Sequence, residues 1–301
     1  MADAILQQYP YLFHKYGLHL TNSTTPLPYT VTQKGTHLPA VCHFHIYDID
    51  IYATFRPHID LIIEEFSIII TYSIGTVKDI PNDITILHVP NKGYDVGPKL
   101  LAIDYLQTQN LSYDYMLFLH SKTDPIMRNK MYAPLIKTRK RICELKRILD
   151  ISSNIVGIFP DWMEHVENVW KYNRIYHNEL LSLLDVTDRA VVFAAGNCMI
   201  LRKSVIDRIF TDKIKLFYNM LNSADSFDLN WFLFKHSLDT STSLQDAYDL
   251  FRLVNIGNNI PVHKTRNSFP DGMIEHTFER IWINVINDMS KEYLVVSDRE
   301  I

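Results

Sequence analysis

The chain has only three cysteines, Cys42, Cys143 and Cys198, widely spaced and without a Cys-x-x-Cys pair. That argues against a disulfide framework and a cysteine-built zinc site, and it suits a reducing compartment. Long apolar runs are also missing. The longest, such as Phe66–Thr71, have strand length, well short of the roughly 18 residues of a membrane helix. Residues 1–17 lack the basic-then-apolar order of a secretory signal, so a cytoplasmic location is expected, with a peripheral position on a membrane as a variant. No excess of positive charge exists: the formal net charge is -4, which leaves no basic field to track a nucleic-acid backbone. Internal repeats, heptads and low-complexity tracts are absent.

What is present is an ordinary globular balance. Hydrophobic residues make up 47% of 301, enough to bury a sizeable core. Residues 1–37 read as an N-terminal extension, with a loop at Thr21–Pro28 and regular structure from about Leu38. Strands are predicted at Ala40–Tyr47, Phe66–Ser73, Asp83–Val89 and Tyr113–Leu119, with helices at Asp60–Glu65 and Gly97–Gln109 between them. Alternating strands and helices predict a parallel α/β sheet, and near-continuous apolar strands predict cover on both faces. Residues 126–301 read as mostly helical, over Met131–Asp150, Glu164–Leu184, Ser204–Leu221, Ser226–Ser237 and from Gly272. Strands are expected at Asn154–Phe159 and at Ala190–Leu201, the latter interrupted by Gly196. The fold class is α/β, an open mostly parallel sheet with a helical C-terminal half.

Ligands of such sheets lie beyond the carboxyl ends of the strands, so the residues after each strand are the candidates. Asn91–Pro98 is the most informative. Gly93 permits unusual backbone, Pro98 suits a helix start, and free N–H groups there suit a phosphate or sugar oxygen. Asn91, Lys92, Gly93 and Asp95 are donor-site candidates; Asp95 is either a ligand of sugar or base, or a helix cap. After Leu119, His120 and Lys122 place two potential cations at the ligand edge. Asp48 and Asp50 form an Asp-x-Asp pair of the kind that holds Mn²⁺ or Mg²⁺ against a diphosphate. His43 and His45, two apart on a strand, share a face and suit either a metal or a satisfied core. The basic run Lys137–Arg141 reads as a solvated helix face.

Five blocks in order, His45–Asp50, Asn91–Pro98, Leu119–Lys122, Ala195–Arg202 and His276–Arg280, resemble the rhamnan synthesis protein F family, within the wider class of GT-A-like glycosyltransferases. The resemblance spans about residues 41–281. It implies a GT-A-like domain over 38–301, with a nucleotide-sugar half at 38–125 and an acceptor half at 126–301. It implies a hexosyltransferase, rhamnosyltransferase-like, acting in polysaccharide biosynthesis. The partners would be a nucleotide-sugar donor and a glycan or lipid-linked glycan acceptor. One departure matters. The wider class ends its fourth strand in a metal-binding acidic pair, and here that place holds His120-Ser121-Lys122, with Asp124 just beyond as a displaced metal ligand. A divalent metal is therefore an open cofactor, with Asp48, Asp50 and Asp124 as its candidates.

Sugar transfer needs a base for the acceptor hydroxyl and stabilisation of the departing diphosphate. Asp228, Glu275 and Glu279 are the base candidates, and Lys122 and His120 face the diphosphate. Asn197, after the Gly196 break, is placed to meet donor or acceptor. The alternative reading is a non-catalytic glycan- or nucleotide-sugar-binding module on a degenerate transferase fold.

Overall fold

A computed structural model describes residues 25–165, 174–221 and 274–299. Strands β2 (Ala40–His45), β3 (Ser67–Tyr72) and β5 (Tyr115–His120) are buried at all six positions each, as their continuous apolar sequences require. They join β4 (Thr85–His88) in a parallel array ordered β4-β3-β2-β5. Beyond β5 lie antiparallel β9 (Met199–Arg202), then β6 (Ile155–Pro160), then β10 (Glu292–Val296), parallel to β6. An antiparallel strand β1 (Thr30–Gln33) closes the other edge on β4. The result is one mostly parallel eight-stranded sheet, with a separate two-stranded ribbon of β7 (Met163–His165) and β8 (Val192–Ala194).

Alternate residues of the strands face opposite sides, and each side has its own core. Cys42, Phe44, Ile68, Ile70, Leu117 and Leu119 pack under helices α1 (Tyr52–Ile62), α3 (Pro125–Ile136) and α4 (Arg139–Ile151). Val41, Ile69, Met116 and Phe118 pack under α2 (Val96–Thr108), α5 (Arg174–Leu184), α6 (Lys203–Phe210), α7 (Ile214–Met220) and α8 (Ile274–Asp288). Helix α2 is buried at every position from Val96 to Leu106. A helix with no polar face must lie inside, and this one carries Lys99 and Asp104 inside with it.

Several elements differ from expectation, each for a local reason. The chain before residue 38 supplies β1. The first helix is α1, which begins at Tyr52 and buries Tyr52, Phe55, Ile59 and Ile62; Pro57 inside it masks the helical pattern. The long helix expected over Met131–Asp150 is two. Asp124 caps α3 through Ile126 N with Pro125 at the first turn, and Thr138 caps α4 through Arg141 N. Within the basic run, Arg141 is buried, donating to the carbonyls of Pro134 and Ser297. The segment from Glu164 opens in ribbon strand β7, and helix is described over Arg174–Leu184. The Ala190–Leu201 strand splits into β8 and β9 of different sheets, and the helix expected at Ser204–Leu221 splits at residues 211–213. β10 was not anticipated, and Ser226–Ser237 lies outside the described residues.

Candidate functional site

The parallel order reverses between β2 and β5. From β2 the chain moves outward to β3 and β4, then α2 carries it back to β5 on the far side of β2. A crevice opens at the carboxyl ends of strands flanking such a reversal. His45 and His120 end these two strands as direct partners, and Thr71 of β3 stands beside His45. Both strand-two histidines rest on Thr71: His43 Nε2 and His45 Nδ1 lie 2.8 and 3.0 Å from its Oγ1.

Two turns meet over this edge. Gly93-Tyr94 precedes α2, with φ of 74° and 51°, and Gly196-Asn197 joins β8 to β9, with φ of 84° and 54°. A Cβ on Gly93 would stand 2.4 Å from Leu221 Cδ1, so glycine is required there by both φ and space. Consecutive residues in the left-handed region are costly unless surrounding contacts fix them. At Gly196-Asn197 those contacts are explicit. Glu279 Oε1 accepts from Gly196 N at 2.5 Å, and His120 Nε2 lies 2.6 Å from Gly196 O. Lys99 Nζ donates to Asn197 O at 3.1 Å, and Trp282 Nε1 to Asn197 Oδ1 at 3.1 Å. Asn197 Nδ2 donates to Asp95 Oδ2 at 2.7 Å. The turn is thus held by β5, α2 and α8 together.

Asp95 stands at the N-terminus of α2, yet its side chain makes no capping hydrogen bond. It points to Asn197, with Lys99 Nζ 3.9 Å from Oδ2. Burial alone would raise its carboxyl; the cations around it and the Asn197 hydrogen bond outweigh this and hold it at about 2. Burial keeps His120 below its ordinary value, so near neutral pH the cations facing Asp95 are Lys99 and Lys122. Lys99 is itself pushed down by burial, to about 8, against the pull of Asp95. Its ammonium sits over Phe118 (4.9 Å) and Trp282 (5.6 Å), where cation–π attraction offsets part of the lost hydration. Burial raises Glu279 to about 7, with Arg280 opposing.

The remaining candidates are placed as follows. Lys122 follows β5, half-buried, and its charge is felt at Asp95, His120 and His276. Asn91 Nδ2 donates to the Tyr47 hydroxyl at 3.3 Å. Lys92 Nζ donates to Asn219 O at 3.4 Å, lies over the Tyr218 ring, and senses the buried Glu275. Pro98 is the third residue of α2, not the first. Asp228 lies outside the described residues. Asp48 Oδ1 accepts from Asp50 N, and Asp50 Oδ1 from Thr76 N, so the pair clasps the turn at Gly75. Asp124 caps α3. Among the described residues no three His, Cys, Asp or Glu come together as a metal site. Asp48, Asp50 and Asp124 each use one carboxylate oxygen to hold a local backbone N–H.

Sequence reading missed Lys99 and Trp282. The signal for Lys99 was legible: a lysine within eleven residues that leave a helix no polar face. Trp282 acts only through tertiary contact.

The buried imidazoles carry a stability consequence. Burial lowers His45 and His276 to about 4 and also depresses His43 and His120. The unfolded chain therefore binds more protons than the native one between about pH 4 and 6.5. Stability conferred by these neutral imidazoles is complete above 6.5 and is lost as pH falls, at up to about 1.4 kcal/mol per pH unit for each. Glu279 acts in the opposite sense between 4.5 and 7, and burial also raises Asp104, but His58 and His177 are lowered as well, so among the described residues six imidazoles stand against two carboxyls. Urea unfolding at pH 7, 6 and 5 should show stability falling by about 2 kcal/mol or more per unit; a flat profile would contradict the neutral buried cluster.

Comparison with protein-family models, with characterised proteins and with solved structures finds no match to this chain.

Proposed function

We propose that the chain is a glycosyltransferase that moves a hexose, such as rhamnose, from a nucleotide-diphosphate donor to a glycan or lipid-linked glycan. One observation carries this reading: an ionised Asp95, two lysines and two left-handed turns converge at the carboxyl edge of the β2/β5 reversal. The order β4-β3-β2-β5 also supports it, since its sequence sense is the 3-2-1-4 half of a doubly wound nucleotide-binding sheet. The absence of any helix long and apolar enough to cross a membrane, among the described residues, is compatible with action from the water side.

In this reading Asp95 accepts hydroxyl hydrogen bonds from the donor, with Asn91, Lys92 and Gly93 lining its approach. Lys122 offsets charge on the departing diphosphate. His120 commits Nε2 to Gly196 O and stays neutral, so it anchors the turn instead of sharing that charge. Glu279 is the base candidate. A carboxylate lifted to about 7 suits proton removal from a hydroxyl near neutral pH, and the Gly196 N–H fixes its orientation. A non-catalytic binding module has one observation in its favour: Asn197, His120 and Lys92 are already engaged within the protein. Turnover separates the two.

A thermal-shift panel of dTDP-, UDP- and GDP-sugars tests the donor site. A ligand at a hundred times its Kd stabilises the native state by about 2.7 kcal/mol, so at least one should raise the melting temperature by several degrees. If none does so at millimolar concentration, the donor reading fails. Release of free nucleotide diphosphate from the stabilising donor then distinguishes an enzyme from a module.

A further inference from the structure

We propose that Asn197 and Lys99 are positioning residues that hold Asp95 by one carboxylate oxygen and leave the other for the hydroxyls of a polyol ligand. This rests on the donor-site reading and deepens it. The geometry is specific. Asp95 Oδ2 takes the Asn197 Nδ2 hydrogen bond at 2.7 Å and faces Lys99 Nζ at 3.9 Å, while Oδ1 has no hydrogen-bond partner among the described residues. The Asp95 side chain keeps 22% of its exposure, against 3% for Lys99. One oxygen is therefore fixed inward while the side chain keeps a path to solvent.

Asn197 has no such freedom. Its Oδ1 accepts from Trp282 Nε1, its Nδ2 donates to Asp95, its carbonyl accepts from Lys99, and its backbone is left-handed. Trp282 in turn stacks on Phe118 of β5. The amide is thus oriented from α8 and the sheet, and it delivers one N–H to Asp95. An acceptor-only carboxylate held this way favours a ligand that brings donors, such as the vicinal hydroxyls of a ribose or a hexose. An anionic group would be repelled at that oxygen and would turn toward Lys122.

Two substitutions separate positioning from simple packing. Asn197→Asp tolerates the left-handed backbone and keeps the acceptor for Trp282, but it sets oxygen against Asp95. Asn197→Gly suits the backbone still better and removes both contacts. Packing alone predicts that glycine, which loses more contacts, is the worse variant. Positioning predicts the reverse: Asn197→Asp should weaken binding more than Asn197→Gly. The probes are UDP-glucose, GDP-mannose and dTDP-rhamnose, with Kd measured by calorimetry. A lost hydrogen bond to a charged group corresponds to roughly tenfold to a hundredfold in Kd, expected for glycine, with a larger loss for aspartate. Wild-type affinity in Asn197→Asp, or glycine as the worse variant, overturns the proposal.

A ligand-free measurement keeps this independent of the donor reading. Burial pushes Lys99 down to about 8, and Asp95 beside it holds it from falling further. When Asn197→Gly releases Asp95 toward solvent, the Lys99 midpoint, followed by carbon NMR at its ε position, should fall. If wild type binds none of the three probes, the donor reading fails and the Lys99 midpoint alone decides: a fall upholds the positioning, and an unchanged midpoint overturns it.

Discussion

Asp95→Asn lowers transfer by about a hundredfold or more while the chain still folds. At a helix cap this exchange would cost little, since asparagine caps nearly as well as aspartate. Asp95 makes no cap bond, so that tolerance does not apply. The new amide meets two donors, Asn197 Nδ2 and the Lys99 ammonium. Turning its oxygen toward them points its N–H₂ at the crevice, where a ligand hydroxyl expects an acceptor. Two hydrogen bonds to a charged acceptor, each contributing about 1.5–3 kcal/mol, give the expected loss.

The same exchange leaves Lys99 buried without its counter-ion. Breaking one partner of a buried pair is costly, whereas removing both is often neutral. Asp95→Asn should therefore lower stability, and adding Lys99→Met should restore much of it. Binding should not return with stability. Urea unfolding and donor affinity on the two single variants and the double one complete the cycle. Recovery of both quantities together would mean that Asp95 serves the fold and not the ligand.

How much of this was legible beforehand follows the physics of each element. The parallel half was, because β2, β3 and β5 are apolar on both faces and separated by turn residues. The Asn91–Pro98 and Leu119–Lys122 blocks were located correctly at strand ends, since position after a strand needs only chain order. Partnership was not legible. Nothing local says that Asn197 reaches Asp95 across 102 positions, or that Trp282 orients that amide. The Asp48/Asp50 pair shows the converse. Two carboxylates one residue apart read as metal ligands, yet in the fold one caps a 3₁₀ turn at Ile49–Ile51 and the other ties Thr76. Short-range spacing is shared by both uses. Glu279, a base candidate by sequence, also holds the Gly196 N–H in the fold. Structural anchoring and a raised proton affinity come from the same burial.

Lys122→Ala should cost about a hundredfold to a thousandfold in turnover, the usual loss when one well-placed electrostatic donor is removed from an active site. Lys122 follows β5, the strand beside the reversal, and its charge is registered at Asp95, His120 and His276. Lys99 is the other cation there, but it is sealed under Phe118 and Trp282 and already engaged with Asn197 O. Lys122 is half-buried, and its backbone carbonyl takes a hydrogen bond from Arg128 Nη1 at 3.4 Å, which fixes the root of the side chain, while no hydrogen bond holds its ammonium among the described residues. A change in kcat with donor Kd nearly unchanged is the signature, because charge grows on the diphosphate only as the glycosidic bond breaks. Lys122→Arg keeps the charge in a planar head of different reach and should recover part of the rate. Chelator titration supplies the contrast. If a divalent ion held by Asp48, Asp50 or Asp124 bore the diphosphate charge, EDTA would abolish turnover, Mn²⁺ or Mg²⁺ would restore it, and Lys122→Ala would be tolerated. Those three acids instead serve local turns and a helix cap, so EDTA should have the smaller effect, and full metal dependence with a tolerant Lys122 would refute the assignment.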